Sequence, residues 1–173
     1  MLLTHAVSLV ALAATVLADG KAITSAMNTI NSDTVRLGTT VAAWPGDVFG
    51  VLPIAGESLA LLEDIKKGSQ TAADSAPLTQ DEALSLATAV GDLAAQVNKT
   101  LEAIIAAKPK FDSLLVVSPV IFLNLEAQQK ATADFSAKVV AKVPAALQAI
   151  ARSLIQPIDD GFNKAIAEYR IKL

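Results

Sequence analysis

Apolar residues recur along this chain in stripes with helical spacing. The clearest stripe repeats at intervals of four and three residues, which is the pattern of an amphipathic helix that packs along one face. Its members are Ile23, Met27, Ile30, Leu37, Val41 and Trp44, with Thr34 filling the one gap. Because Pro45-Gly46-Asp47 follows and breaks the pattern, we predict a first helix over residues 21–43.

Two more helices are predicted from the same spacing. The second covers residues 51–73, where Pro53 is acceptable in a first turn. Its stripe comprises Leu52, Ala55, Leu59, Leu62 and Ile65. The third opens with the capping-box pattern Thr79-Gln80-Asp81-Glu82 and ends at Lys108-Pro109-Lys110. Its stripe comprises Leu86, Val90, Leu93, Val97, Leu101 and Ile104.

The fourth helix is predicted from the N-cap residue Ser118, with Pro119 at the first helical position, to about residue 142. Its stripe comprises Ile121, Leu125, Gln128, Thr132, Phe135 and Val139. The fifth is predicted from Pro144, and Pro157 inside it should kink it or split it in two. Its stripe comprises Leu147, Ala151, Leu154, Ile158, Phe162, Ala165 and Tyr169. Five amphipathic helices with short connections predict an all-α five-helix bundle.

Residues 1–18 have the pattern of a secretory signal peptide. An apolar run from Ala6 to Val16 is followed by Ala18, which gives a small residue at position −1, with a tolerated Val16 at position −3. We therefore predict cleavage before Asp19 and a single secreted domain over residues 19–173, with an uncleaved core helix as the alternative. We expect no transmembrane segment, because a spanning helix needs ~20 apolar residues and the apolar runs of this chain are shorter. We also expect no lipid anchor.

Composition limits the chemistry. The chain has no Cys, and its one His lies in the predicted signal peptide, which removes Ser-His-Asp, Cys-His and zinc sites. Adjacent carboxylates such as Asp159 and Asp160 point about 100° apart on a helix and do not converge on one substrate. We therefore expect no catalytic residue, no metal and no cofactor. The net charge of −3 argues against a nucleic-acid partner.

Three segments carry soft motifs in a defined order. They are NTINSDTVRLGTTVAAWPG (28–46), TLEAIIAAKPKFD (100–112) and IDDGFNKAIAEY (158–169). In the order and spacing of these motifs, the chain resembles the fungal hydrophobic surface-binding protein A family, which includes the cell-wall galactomannoproteins. The resemblance implies a secreted or wall-associated helical domain that adheres to hydrophobic surfaces. Some related domains hold fatty acids in the central apolar cavity of a five-helix bundle, so the resemblance makes such a cavity an expectation for this chain as well.

One stretch is apolar on all sides. From Leu114 to Leu125 only Ser118, Pro119 and Asn124 interrupt it. One interpretation is that this helix start is the most central element and is covered on several sides. The other is that it lines a tunnel for an acyl chain or opens outward as an adhesive patch. The low aromatic content, 4%, favours an unfilled interior, because few large side chains are present to fill it. A gap lined by Leu, Ile and Val would stay dry and could accept an apolar ligand.

On the cavity interpretation, we predict that a fatty acid or other lipid lies between the helices. The predicted lining residues are Leu37, Val41, Leu93, Val97, Ile121, Leu125, Phe135 and Leu154. Thr34, Gln128 and Thr132 interrupt apolar stripes, and a buried polar group needs a partner. They either bond to backbone or reach water, or they hold the carboxyl end of the lipid. Asn98-Lys99-Thr100 is a sequon for an N-linked glycan.

Two other functions stay open from the sequence. The chain could be a structural wall mannoprotein without a ligand, in which case extraction of the purified protein would release no lipid. It could instead be a secreted module that binds a host partner, in which case a large apolar patch should lie outside a solid interior.

Overall fold

A computed structural model of the chain describes residues 3–114 and 116–170, with side chains from Gly20 onward. Within these ranges the chain is helical and contains no strand, which confirms the all-α prediction. The helices are α1 (Leu3–Ala43), α2 (Val51–Asp74), α3 (Gln80–Asp112), α4 (Val117–Lys142) and α5 (Gln148–Tyr169), with a 3-10 turn at Ala145–Leu147. The predicted signal peptide falls outside the described side chains and stays a prediction.

The five helices form a closed ring. α1 packs against α2 and α3, α2 packs against α4, and α5 packs against α3 and α4. We call the end with the α1–α2 and α3–α4 connections the tip, where Lys110 Nζ donates to the Trp44 carbonyl at 2.6 Å. At the other end, the base, the Leu78 N–H donates to the Lys142 carbonyl at 2.8 Å. Such a ring leaves an axis without backbone, so side chains alone must fill it.

The stripes predicted for α1 and α3 are confirmed, and so are the end of α1 at Ala43 and the start of α3, whereas α1 begins at Leu3 instead of the predicted residue 21. Every member of the stripe from Ile23 to Trp44 is buried, and so is every member from Leu86 to Ile104. The capping box is present, because the Thr79 N–H donates to Glu82 Oε2 at 2.8 Å and the Glu82 N–H donates to Thr79 Oγ1 at 3.3 Å. These two helices therefore make a regular, closed side of the ring.

The predicted end of the third helix at Pro109 is wrong. α3 continues through Pro109 to Asp112. Phe111 is fully buried, and its ring stacks on Trp44 with the centroids 4.3 Å apart. A proline inside a helix costs ~3 kcal/mol, and the burial of this aromatic pair offsets that cost.

The boundaries of the last two helices also differ from the prediction. α4 begins at Val117, so Ser118 lies inside its first turn instead of capping it, and the Ser118 hydroxyl donates to Asp112. α5 begins at Gln148, after the 3-10 turn, and is continuous across Pro157. The predicted split at Pro157 is therefore wrong, and the kink stays a prediction.

The stripe predicted for α2 is mostly wrong. Leu52 and Leu59 are 71% and 62% exposed, and only Ile65 of that stripe is buried. The residues that α2 buries are Ile54, Ser58, Leu61, Ile65, Gly68, Ser69 and Ala72. The first turns of α2 are apolar on two faces, but α1 and α4 cover only one of them. Periodicity alone could not decide which face that would be.

Candidate functional site

Three voids follow one another along the axis of the ring. The tip void measures about 150 Å³ and lies between α1, α2, α3 and α4. The middle void measures about 30 Å³, and all five helices line it. The base void measures about 60 Å³ and lies between α3, α4 and α5. The described residues that line these voids include no charged side chain, so the interior is apolar with a few neutral polar groups.

The eight residues predicted to share one cavity are distributed over the three voids. Leu37, Val41, Ile121 and Leu125 line the tip void, Leu93, Val97 and Phe135 line the middle void, and Leu154 lines the base void. The structure thus brings four of them together in the tip void and three in the middle void, and it places Leu154 apart from both groups. Phe135 and Phe162 border the middle void, and Ile104 borders both the tip and the middle voids.

Gln128 belongs to a polar cluster at the boundary between two voids. Its Nε2 donates to Ser58 Oγ at 2.8 Å and to Asn124 Oδ1 at 3.0 Å. The Ser58 hydroxyl donates to Asn124 Oδ1 at 2.6 Å. Gln128 lines the middle void, whereas Ser58 and Asn124 line the tip void. The cluster therefore offers neutral hydrogen-bonding groups to anything that occupies the interior.

The two other polar candidates have different surroundings. The Thr34 hydroxyl donates to the Ile30 carbonyl of its own helix at 2.7 Å, and the Thr34 carbonyl accepts from Thr100 Oγ1 at 2.8 Å. Thr34 also lines the middle void, but its hydroxyl and its carbonyl already have partners on α1 and α3. Thr132 is half-buried and lines the middle void.

Sequence analysis missed Ser58 and Asn124 as site residues. Asn124 gave a signal, because it interrupts the apolar run and lies four residues before Gln128, on the same helix face. Ser58 gave none, because it belongs to the α2 face that was predicted to be outside. Its role becomes visible only when α2 and α4 are placed side by side.

The apolar run at the start of α4 is not covered on several sides. Val116, Val120 and Leu123 are 75%, 61% and 63% exposed. On the opposite face, Ile121 and Leu125 line the tip void. The covered-core interpretation is therefore wrong, because one face of this segment lies against the interior and the other faces solvent.

Ionisable groups lie away from the voids. Asp33 of α1 is buried beside Asp64 of α2, and burial together with the hydrogen bond to Asp64 raises the pKa of Asp33. The same hydrogen bond lowers the pKa of Asp64. Asp33 also forms an ion pair with Arg36. Among the described residues, no cluster of acidic or histidine side chains is suited to hold a metal ion.

Asn98 of the sequon is half-buried in α3. Its amide donates to the Ala94 carbonyl at 3.1 Å, and an added Cβ at Gly161 of α5 would lie 2.1 Å from Asn98 Oδ1. The glycan stays a prediction, and it would have to be attached to a side chain that packs against α5. In the described part of the chain, no helix is both long enough and apolar enough to cross a membrane.

Comparison with known sequences identifies relatives over most of the chain. Residues 20–141 match the family of HsbA, hydrophobic surface binding protein A. Cell wall mannoprotein 1 of Aspergillus fumigatus is 28% identical over 141 residues, which cover 82% of this chain. The chain spans about half the length of that relative, 49%.

Solved structures share the five-helix fold. The crystal structure of Afmp4p in complex with palmitic acid has a TM-score of 0.83 and 26% identity, and the match covers 87% of this chain and 99% of that one. Ligand binding domain 1 of the Penicillium marneffei MP1 protein, complexed with arachidonic acids, has a TM-score of 0.84 and 22% identity, with 88% and 99% covered. The second comparison bears on the fold alone.

Proposed function

Because the chain belongs to the hydrophobic surface binding protein A family, we propose that it is a secreted, non-enzymatic protein that binds a fatty acid or another long-chain lipid inside the ring. Afmp4p, at 26% identity and with the same fold, is seen in complex with palmitic acid. That likeness supports a ligand of the same class here. The lack of Cys and of any His after residue 18 supports a binding role over catalysis.

The observation that carries this proposal is the row of voids inside the ring. The tip void is lined almost wholly by aliphatic and aromatic side chains and reaches the surface between α2 and α4. Pockets for small molecules usually measure ~300–1,000 Å³, which is more than any of the three voids. We therefore propose that an acyl chain enters at the tip and displaces side chains such as Ile104, so that the voids join.

The polar cluster supplies a place for the carboxyl end. Gln128 and Ser58 carry N–H and O–H donors at the boundary of the tip and middle voids. A carboxyl group that reaches this level could replace Asn124 Oδ1 as their acceptor. No charged side chain lies among the described residues of the void walls, so these bonds are neutral and should favour the protonated acid over its anion.

The test uses two tryptophan variants of the same helix. Delipidated protein is titrated with palmitic acid in competition with a fluorescent fatty acid. Leu125→Trp places a larger side chain in the tip void and should weaken binding by about tenfold or more while stability changes little. Leu123→Trp lies on the exposed face of α4 and should bind like the parent.

Two results would contradict the proposal. A parent protein that takes up no fatty acid would return the voids to ordinary packing, above all if Leu125→Trp then also lowered the melting temperature sharply. Equal binding by both variants would show that the ligand does not enter the tip void. A lipid-free extract from protein purified from its native source, together with no uptake, would favour the structural wall protein.

For the location, we propose release from the cell or association with its wall. The relationship to a cell wall mannoprotein supports this, and so does the signal-peptide pattern of residues 1–18. Fractions of the medium and of the wall should contain the protein with an N-terminus at Asp19. A cell-retained protein that still carries residues 1–18 would contradict the proposal.

A further inference from the structure

Apolar side chains cover the outside of the tip. The exposed ones are Val48, Phe49, Leu52, Val116, Val120 and Leu123, and we call them the tip patch. Two segments supply them, residues 48–56 and 114–125, and neither contains a charged residue. The two segments are adjacent because α2 packs against α4. Contiguous exposed apolar surface of this kind marks a site of interaction in a soluble protein.

Phe49 is held in solvent by an ordered loop. Its side chain is 80% exposed. Within the loop, Trp44 Nε1 donates to the Asp47 carbonyl at 2.9 Å, and the Gly50 N–H donates to Asp47 Oδ1 at 2.8 Å. Lys110 Nζ fixes the loop to α3 through its bond to the Trp44 carbonyl. The loop therefore presents a large aromatic ring outward from a defined position instead of folding it back onto the core.

The tip patch is continuous with the mouth of the tip void. Val120 and the neighbouring Leu59 are exposed and also line the void. Val51 and Ile54, which follow Phe49 in the chain, line its wall. A ligand that enters between α2 and α4 must therefore cross this surface.

We propose, on the basis of the lipid-binding function above, that the tip patch docks on the surface of a lipid bilayer and takes an acyl chain from it directly. Phe49 and Val48 enter the apolar layer, and the mouth of the tip void then lies against the lipid. The absence of charge in residues 48–56 and 114–125 fits an uncharged apolar occupant. A second copy of the chain fits less well, because it would close the mouth.

The test separates docking from uptake. Binding to phosphatidylcholine vesicles is measured by flotation, and transfer of a fluorescent fatty acid is measured from vesicles and from aqueous solution. In the double variant Val48→Ser/Phe49→Ser, the affinity for vesicles measured by flotation should fall by about tenfold or more, because two exposed apolar side chains no longer enter the lipid. Its uptake from solution should equal that of the parent. Val35→Ser removes an exposed apolar side chain from α1, outside the tip patch and outside the walls of the three voids, and both assays should be unchanged.

Other results either overturn the docking proposal or separate it from the lipid-binding function. Unchanged flotation of the tip variant, or an equal loss in Val35→Ser, shows that the tip patch is not the docking surface. If the parent sediments as a dimer and the tip variant sediments as a monomer, the tip patch is a surface for self-association. If no protein takes up fatty acid but flotation still depends on Phe49, the lipid-binding function fails while the docking surface stands.

Discussion

Two sides of the ring differ in how many faces of their helices are apolar. We call α1 and α3 the closed side, and the first turns of α2 and α4 the open side. On the closed side, α1 and α3 each carry one apolar stripe and bury all of it. On the open side, the first turns of α2 and α4 are apolar on two faces. Ile54 and Leu125 are buried, whereas Leu52 and Leu123 on the other faces are exposed. Apolar residues in excess of what packing covers therefore mark where the molecule meets an external partner.

The largest expected difference concerns two phenylalanines at the tip. Phe111→Ala should lower the free energy of unfolding by ~3–5 kcal/mol, because it leaves a cavity beside Trp44. Phe49→Ala should change it by no more than ~0.5 kcal/mol, because that ring is exposed. Urea unfolding of both variants measures the contrast. A large loss in Phe49→Ala would mean that this ring is part of the core.

Two glycines give the next largest effect. At Gly38 an added Cβ would lie 2.5 Å from Thr100 Oγ1, so Gly38→Ala should cost ~1–3 kcal/mol by forcing α1 from α3. At Gly56 of α2 nothing lies within 4 Å of that position, so Gly56→Ala should add ~0.5–1 kcal/mol through helix propensity. Thermal unfolding of the pair is the measurement. Equal effects would show that the two sides pack alike.

Removing a polar group should weaken lipid binding on the open side but not on the closed side. Gln128→Leu removes the shared donor of the polar cluster and should weaken palmitic acid binding by ~2–10-fold, the worth of a neutral hydrogen bond. Thr34→Val is the control, because its hydroxyl is bonded within α1. Fluorescent displacement measures both. Unchanged affinity in Gln128→Leu would place the carboxyl group elsewhere.

The smallest effect is a change in how stability depends on pH. The pKa of Asp33 is raised in the folded chain, so the native state binds that proton more tightly than the unfolded state does. The contribution of Asp33 to the free energy of unfolding should therefore rise as pH falls from neutral through the raised pKa towards about 4. Asp33→Asn lacks this gain, so its melting temperature relative to wild type should be highest near neutral pH. A difference that stays constant with pH would contradict the assignment.

Sequence predicted the closed side well and the open side poorly, for one physical reason. The α1 stripe from Ile23 to Trp44 had no apolar rival on its helix, so its periodicity fixed the buried face. In α2, the stripe that begins at Leu52 competed with the one that begins at Ile54, and only the position of α4 decided between them. The end of α3 was missed because Phe111 is held by a tertiary contact with Trp44.

The candidate site was predicted in its residue types and not in its shape. All eight predicted lining residues border a void, because apolar stripes must face the axis of the ring. Their division among three voids depends on how side chains such as Phe135 and Ile104 pack between the helices, which spacing does not determine. Ser58 could be paired with Gln128 only from the contact between α2 and α4.

Photolabelling would locate the acyl chain. Palmitic acid with a diazirine in the middle of its chain is bound to the delipidated protein, irradiated and mapped by peptide mass spectrometry. We expect adducts on inward-facing residues of the tip void, such as Ile54, Ile121 and Leu125, and their loss when unlabelled palmitic acid competes. Adducts confined to outward-facing residues such as Leu123, or labelling that competitor does not reduce, would contradict binding inside the ring.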